Sequence, residues 1–463
     1  MEARALKFIA EACGAELPAG AAAIAIGNVC TDSRRVKPGD LFFAFRGEKF
    51  DGHDFVADVA AKGAAAVVVE KARRAALKLP AGCAVLGVAE VRAAFGNLAA
   101  AYRRDFSLPL TAVGGSNGKT TTKELLAAVL RQRLSTLWSE ASFNNDIGVP
   151  ATLLRLEKAH QAAVIEAGTN HPGELAALAR IIQPKYGVIT SIGREHLEFF
   201  GDVAGVAREE GALAESLPAD GALFINGDSP WTDAIVARTR ARVVRVGFGE
   251  NNDWRATRMR LDKGGVTFQV TAPKAACGGE YRINLLGRHQ VANALLAIGS
   301  GEEHGLGRAE IQRGLAECQP PKMRMQYWEA RGVRVLDDCY NANADSMRAA
   351  LDTLCELPLQ GRRVAVLGDM AELGAQTEAA HVEIGRRAAE LQIGQLFTVG
   401  KNSAATARAA RDAGLTRVIE FADVDAATRA VRNFLKSGDV VLLKASRSSH
   451  LERIAETLKS SDK

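Results

Sequence analysis

A short apolar strand that runs into a glycine-rich turn and straight on into a helix constrains this chain more than any other feature. Residues 108–113 are β-prone, with Pro109 near their start. Gly114-Gly115-Ser116-Asn117-Gly118-Lys119-Thr120-Thr121-Thr122 follows, and Leu125, Leu126, Val129 and Leu130 then recur at helical spacing on one face. At such a junction the backbone N–H groups that open the helix converge on one spot and the helix dipole adds positive potential, so an anion is held there. Lys119 supplies a mobile cation for the β- and γ-phosphates of a nucleotide, and Thr120 is placed to ligate Mg²⁺. The turn is shorter than the pattern G-x-x-x-x-G-K-[ST], because the residue five before Gly118 is Val113. Gly-Lys-Thr alone also occurs in plain surface turns; the strand before it, the helix after it and glycines on both sides favour phosphate binding.

A chain of 463 residues has room for about three domains of ordinary size, each with its own core. Its 47% apolar and 24% charged content is that of a soluble globular protein. The net charge of +5 is carried in doublets such as Arg34-Arg35, Arg73-Arg74 and Arg103-Arg104 interleaved with acids, so no basic stripe for nucleic acid is expected. No uncharged apolar run reaches the length of a membrane span. The first eleven residues alternate charge and apolar positions like an amphipathic helix, with no signal-peptide core behind them. Seven cysteines, an odd number without any C-x-x-C pair, point to reduced and mostly buried thiols in a cytoplasmic protein.

Apolar strands at 65–69, 162–165, 187–192, 364–367 and 440–443 alternate with helical patterns, which predicts an α/β protein with largely parallel sheets. Boundaries fall near 103–109 and near 317–322, at Pro320-Pro321, dividing the chain into 1–106, 107–318 and 319–463. Residues 250–285 read as a small β-rich insertion late in the middle segment, and a polar tail closes the chain at 460–463. Glu166 stands at the carboxyl end of the 162–165 strand, where open α/β sheets bind ligands, and is placed to give Mg²⁺ a second protein oxygen. The alternative is a carboxylate capping the next helix. His196 follows the 187–192 strand and suits a metal or phosphate contact, although a lone histidine is also a common structural residue.

Taken together, these residues resemble a family. Gly115-Ser116-Asn117-Gly118-Lys119-Thr120-Thr121, Asn144-Asn145-Asp146-Ile147-Gly148-Val149-Pro150, the run from Glu166 through Asn170 to Glu174, and Glu195-His196-Leu197 are similar to segments of the Mur ligases. These are ATP-dependent amide-bond-forming enzymes of peptidoglycan precursor synthesis, and the likeness spans nearly the whole chain. The resemblance implies three α/β domains: an N-terminal domain for the UDP-sugar-peptide, a central P-loop ATPase-type domain and a C-terminal Rossmann-like domain for the incoming amine. Ser33, Arg34, Asp51 and His53 fall in the segment similar to the UDP-binding domain, and Asn144, Asn145 and Asn170 in segments expected to face that substrate. His289 and Asn293 lie in the segment similar to the one beside adenine. Asp338 is implied to accept from the ribose hydroxyls and Arg324 to reach toward the phosphates from the third domain.

The third domain carries Tyr340-Asn341-Ala342-Asn343, Asp369-Met370-Ala371-Glu372-Leu373-Gly374 with His381, and Ser446-Arg447, which look like those of members that add D-alanyl-D-alanine. No Asp-Asn-Pro motif occurs, which speaks against members that add the third amino acid. The implied reaction joins D-alanyl-D-alanine to UDP-MurNAc-tripeptide through an acyl phosphate, with ATP and Mg²⁺, in a monomer. Lys119, Glu166, His196 and Glu210 are its implied catalytic residues, and Thr120, Glu166 and His196 its metal ligands. Other readings are another amide ligase of the family, a tripeptide-forming or folylpolyglutamate-type enzyme, a P-loop ATPase of a different class, or a silent precursor-binding protein.

One departure bears on the chemistry. Most family members carry a lysine, carbamylated by CO₂, about a dozen residues after the His196 position, and here Glu210 stands in its place within Arg208-Glu209-Glu210-Gly211. Glu210 brings negative charge without CO₂ on an arm shorter by a few ångström, on the order of three bonds. The alternative is that Glu209 and Glu210 are a solvated helix face. Smaller departures are Ser191 for Asn, Lys322 for a small residue and Ala344 for Pro.

Overall fold

The computed structural model describes residues 1–460 except 76, 78, 81, 263, 359 and 360, so most of the polar tail lies outside the described residues. The fold is α/β, and its residues fall into two compact units. The first comprises Met1–Ala112, Ser135–Gly168 and Ala176–Pro184, and the second Val113–Leu134, Thr169–Leu175 and Lys185–Lys463.

The first unit holds an all-parallel four-stranded sheet of Val29–Cys30, Leu41–Phe43, Ala66–Glu70 and Ala84–Val88, in that order. Its strands are near-continuous runs of small branched residues, as expected where both faces are covered. Phe42, Val67 and Val69 pack with Val56 and Val59 of the helix Val56–Ala61 on one side. The helix Val91–Arg103 is opened by Glu90, whose carboxylate accepts from the Arg92 and Ala93 N–H groups. Its last residue, Arg103, is buried and donates to the carbonyls of Phe106 and Ile182, so burial of its charge is offset by backbone acceptors. The same unit contains a parallel pair, Thr136–Trp138 and Ala162–Glu166, the latter buried along its whole length. The expected N-terminal amphipathic helix is Leu6–Cys13, with Leu6, Ile9, Ala10 and Cys13 buried.

The second unit contains the parallel strands Tyr186–Ile189, Ala222–Asn226 and Arg242–Gly247. The β-rich segment expected late in the middle of the chain is present and continues this sheet. Trp254 pairs in parallel with Val246, and Trp254–Asp262, Gly265–Thr271 and Gly279–Ile283 continue as an antiparallel meander. A six-stranded sheet follows in the order Gln326–Ala330, Val333–Asp338, Val440–Lys444, Arg363–Gly368, Gln395–Val399 and Val418–Phe421, antiparallel at the first pair and parallel thereafter. Apolar clusters cover both its faces, with Leu351, Leu354 and Ile384 on one and Val431, Ile454 and Leu458 on the other. Val440–Lys444 lies between two strands that precede it in the chain, so the carboxyl ends carrying Asp338, Lys444 and Asp369 meet at one sheet end. All seven cysteines are free, five of them buried. No helix among the described residues is long and apolar enough to cross a membrane.

Candidate active site

The strand before the phosphate loop is Leu110–Gly114 and the helix after it Lys119–Leu130. Gly115 has φ +111°, and a Cβ there would fall on the Thr190 hydroxyl and 2.7 Å from the Thr190 nitrogen, so only glycine fits. The loop is stitched to residues 190–193. The Ser116 N–H donates to the Ser191 carbonyl at 2.8 Å, the Asn117 N–H to the Ser191 hydroxyl at 3.0 Å, and the Thr190 hydroxyl to the Asn117 carbonyl at 2.6 Å. These bonds explain why the strand expected to reach residue 192 stops at Ile189: the polar groups of the next residues are engaged by the loop. They also give Ser191 a use as the acceptor for Asn117.

Lys119 is held inside this cradle. Its ammonium donates to the Gly115 carbonyl at 2.5 Å and to Glu195 Oε2 at 3.2 Å, and lies 3.4 Å from the Ser116 carbonyl. Glu195 is buried and received no role from its sequence pattern; a carboxylate next to His196 could have been read as a partner for the loop lysine. Thr120 and Thr121 are buried in the first helical turn.

Glu210 lies on the helix Val203–Glu215, fully buried, and its Oε2 accepts from the Gly115 N–H at 2.6 Å. Burial pushes its carboxyl up to about 8, and the nearby Glu195 charge adds to this, while Lys119 and the Gly115 N–H act the other way. Its neighbour Glu209 is also buried, accepting from the Thr169 hydroxyl at 3.1 Å and from the Gly173 and Leu175 N–H groups at 2.7 and 2.8 Å. A solvated helix face is therefore excluded.

His196 has φ +46° and faces Glu372, which has φ +61°; neither is glycine, so backbone strain is concentrated where the two meet. Nδ1 of His196 lies 2.5 Å from Glu372 Oε2. The imidazole holds the Glu372 carboxyl below its usual range. Among the described residues no group of three or more His, Cys, Asp or Glu side chains forms a metal cage.

From the C-terminal sheet, Asp338 uses Oδ1 to accept from the Met325 N–H at 3.0 Å and Oδ2 to pair with the buried Lys444 ammonium at 2.5 Å. Lys444 also donates to the Asn341 carbonyl. The Arg324 guanidinium lies 4.1 Å above the Tyr340 ring, a cation–π contact. Asn343 Nδ2 donates to Asn117 Oδ1 at 3.0 Å, tying this segment to the phosphate loop. The Ser446 hydroxyl accepts from the Ala371 N–H, whereas Arg447 is half-exposed and pairs with Glu452. His289 is half-buried, and desolvation pushes its imidazole down to about 4, which favours the neutral ring. Asn293 donates to Gln290 on the helix Arg288–Glu303, which packs against the helix that follows the loop.

Three family models match the chain: the Mur ligase family catalytic domain over residues 25–103, the Mur ligase middle domain over 113–301 and the Mur ligase glutamate ligase domain over 323–447. The chain belongs to the Mur ligase family. It is 38% identical to UDP-N-acetylmuramoyl-tripeptide--D-alanyl-D-alanine ligase of Escherichia coli K12 over 94% of both chains. The crystal structure of MurF from Acinetobacter baumannii superposes with a TM-score of 0.90 at 32% identity, covering 99% of each chain. MurF from Thermotoga maritima in complex with ADP gives 0.83 at 25% identity, covering 94% of this chain and 97% of that one.

In this Mur ligase the remaining candidates sit as follows. Glu166 is the last residue of its strand and fully buried; its N–H donates to the Ser139 hydroxyl and its Oε1 accepts from Asn144 Nδ2 at 2.8 Å. The next helix begins only at Glu174, so Glu166 does not cap it. Asn145 closes its own turn by accepting from the Gly148 N–H, and Asn170 is exposed. His53 is occupied within its domain, with Nδ1 2.6 Å from Asp51 Oδ1 and Nε2 accepting from the Glu70 N–H. It shapes the loop that presents Asp51. Arg34 is exposed and forks onto Asp32, while the Ser33 carbonyl accepts from Lys62.

Proposed function

We propose that this chain joins D-alanyl-D-alanine to UDP-MurNAc-tripeptide with consumption of ATP. The observation that carries the reading is its likeness, along nearly its whole length, to ligases of that name. The segments 1–106, 107–318 and 319–463 are taken as the substrate, nucleotide and amine domains. The peptide carboxylate attacks the γ-phosphate to give an acyl phosphate with ADP leaving, and the dipeptide amine then attacks the acyl carbon, loses a proton and displaces phosphate to form the amide.

Lys119 neutralises phosphate charge as one anion attacks another, leaving Glu195 to do so. Gly115, Ser116 and Asn117 shape the loop around the phosphates, their own N–H groups being engaged by Glu210 and Ser191, while Gly118 and Thr121, where the helix Lys119–Leu130 opens, would turn backbone N–H groups toward them. The Thr120 hydroxyl and the Glu166 carboxylate are the ligands the family resemblance implies for Mg²⁺, an ion needing about one or two protein oxygens besides water and phosphate; each is buried within its own unit and is a hard oxygen donor, and one Glu166 oxygen is fixed by Asn144. Mg²⁺, when bound there, supplies charge neutralisation on the phosphate. His196 would offer its Nε2 to a second ion or a phosphate oxygen, because Nδ1 faces Glu372. Arg324 would leave Tyr340 to reach the phosphates, and Asp338 would meet the ribose. Tyr340, Asn341, Asn343, Ser446 and Arg447 serve the dipeptide, and Ser33, Arg34, Asp51, His53, Asn144, Asn145 and Asn170 the UDP-linked peptide. Glu210 exerts its part through Gly115.

Phosphate release from ATP tests the reading. It is expected only when UDP-MurNAc-tripeptide and D-alanyl-D-alanine are both present. Release with free amino acids in place of the dipeptide would assign the chain to another ligase of the family.

A further inference from the structure

Residues 193–198 carry Glu195, the partner of Lys119, together with His196, and they are gripped by carboxylates on two helices from the C-terminal part of the chain. The Arg194 backbone N–H donates to Asp345 Oδ2 at 2.8 Å, and its Nε and Nη2 donate to Asp345 Oδ1 at 3.0 and 2.6 Å. The other edge of the guanidinium meets Glu383, Nη1 at 2.5 Å and Nη2 at 3.1 Å. One planar fork thus spans carboxylates from two helices, Ala344–Glu356 and Thr377–Glu390. A lysine presents a point charge and cannot reproduce this. Residue 193 must be glycine for Asp345 to come this close, since a Cβ there would lie 2.7 Å from Asp345 Oδ2.

The grip leads directly to the phosphate loop. The Gly193 N–H donates to the Ser116 hydroxyl at 2.9 Å. On the other side, Asn343, whose side chain caps the helix Ala344–Glu356 at the Ser346 N–H, donates to Asn117. The amino end of that helix therefore touches the phosphate loop twice, through Asn343–Asn117 and through Asp345–Arg194–Gly193–Ser116. The hydrogen bonds from Arg194 hold the Glu383 carboxyl below its usual range. Arg348 also pairs with Glu383 but touches neither residues 193–198 nor the loop among the contacts described.

We propose that Arg194 is a positioning residue: it registers the helix Ala344–Glu356, and with it the amine-binding segment at 340–343, against the phosphate loop, so that the second half-reaction depends on it far more steeply than nucleotide binding does. The kinetic part of this rests on the ligase reading above; the structural part does not.

The test uses the full chain with Arg194→Ala, Arg194→Lys and Arg348→Ala. Losing charge-assisted bonds of this kind lowers kcat/KM for the dipeptide by about tenfold or more in Arg194→Ala, with an intermediate loss in Arg194→Lys and a change under about twofold in Arg348→Ala. The dissociation constant for ADP, read by titration, stays within about twofold throughout. Hydrogen exchange in Arg194→Ala speeds up in both 193–198 and 343–356, with no substrate present. Unchanged exchange, an unchanged kcat/KM, an ADP affinity that falls in step with turnover, or an equal loss in Arg348→Ala would each overturn the assignment. Absence of dipeptide-dependent turnover in the parent chain would sink the ligase reading instead, and the exchange comparison would still decide the role of Arg194.

Discussion

Replacing Glu210 with glutamine turns its buried carboxyl into a pH-dependent stability signal whose sign is fixed. The folded chain holds this carboxyl near 8 against an ordinary value of 4.5, chiefly through burial. Below about 4.5 both folded and unfolded chains are protonated there, and the full contribution of the group is present. Above that, folding requires a proton that the unfolded chain has released, and each pH unit costs about 1.4 kcal/mol until the folded carboxyl itself ionises. The accumulated loss by about pH 8 is bounded by about 5 kcal/mol. In Glu210→Gln the side chain has no proton to keep, and its amide oxygen still accepts from the Gly115 N–H, which the carboxylate takes in the parent. Urea unfolding of both proteins, in buffer free of nucleotide and magnesium, is the assay. The variant should gain on the parent steadily from about pH 5 to about pH 8, overtaking it toward the upper end. A difference that stays flat, or that shrinks as pH rises, would show Glu210 ionised throughout and refute the reasoning.

Gly115→Ala should destabilise the chain by about 1–3 kcal/mol and weaken ADP binding, because a Cβ at φ +111° meets Thr190; a variant that melts and binds like the parent would contradict the loop geometry. Asn144→Ala releases Glu166 Oε1, and the Mg²⁺ concentration for half-maximal turnover should rise about tenfold; an unchanged magnesium titration would remove Glu166 from the metal site. Turnover should be indifferent to CO₂ depletion and to added bicarbonate, since Glu210 in the lysine's place has no amine for CO₂ to carbamylate, and strong stimulation by bicarbonate would count against that placement.

What could be read in the sequence was local. The strand, short loop and helix around Lys119 follow from consecutive residues, and the buried strand ending on Glu166 follows from an unbroken apolar run. What could not be read was set by partners far away in the chain. The strand expected to continue to residue 192 ends at Ile189 because Thr190 and Ser191 serve the loop some seventy residues earlier. Glu209 and Glu210 are adjacent on one helix, a pattern that looks solvated, yet Thr169, Gly173 and Leu175 claim one and Gly115 the other. Segment 250–285 reads as β-rich from its alternation, and the pairing of Trp254 and Arg255 with Val246 and Gly247, which places it at the edge of an existing sheet, is set by residues outside it. His53 sits in a motif similar to a substrate-binding one, but both its ring nitrogens are consumed within the domain.

With Lys119 as the proposed phosphate ligand, its lodging between the Gly115 carbonyl and Glu195 would make nucleotide capture an exchange of counter-ions rather than the filling of a bare cationic socket. Part of each new phosphate contact would go into breaking an old carboxylate one, holding down affinity for the ground-state nucleotide. The same carboxylate would take the lysine back when product leaves, lowering the barrier to release. A site wired this way favours turnover over tight holding, and a competitive inhibitor built only from negative charge inherits the same handicap.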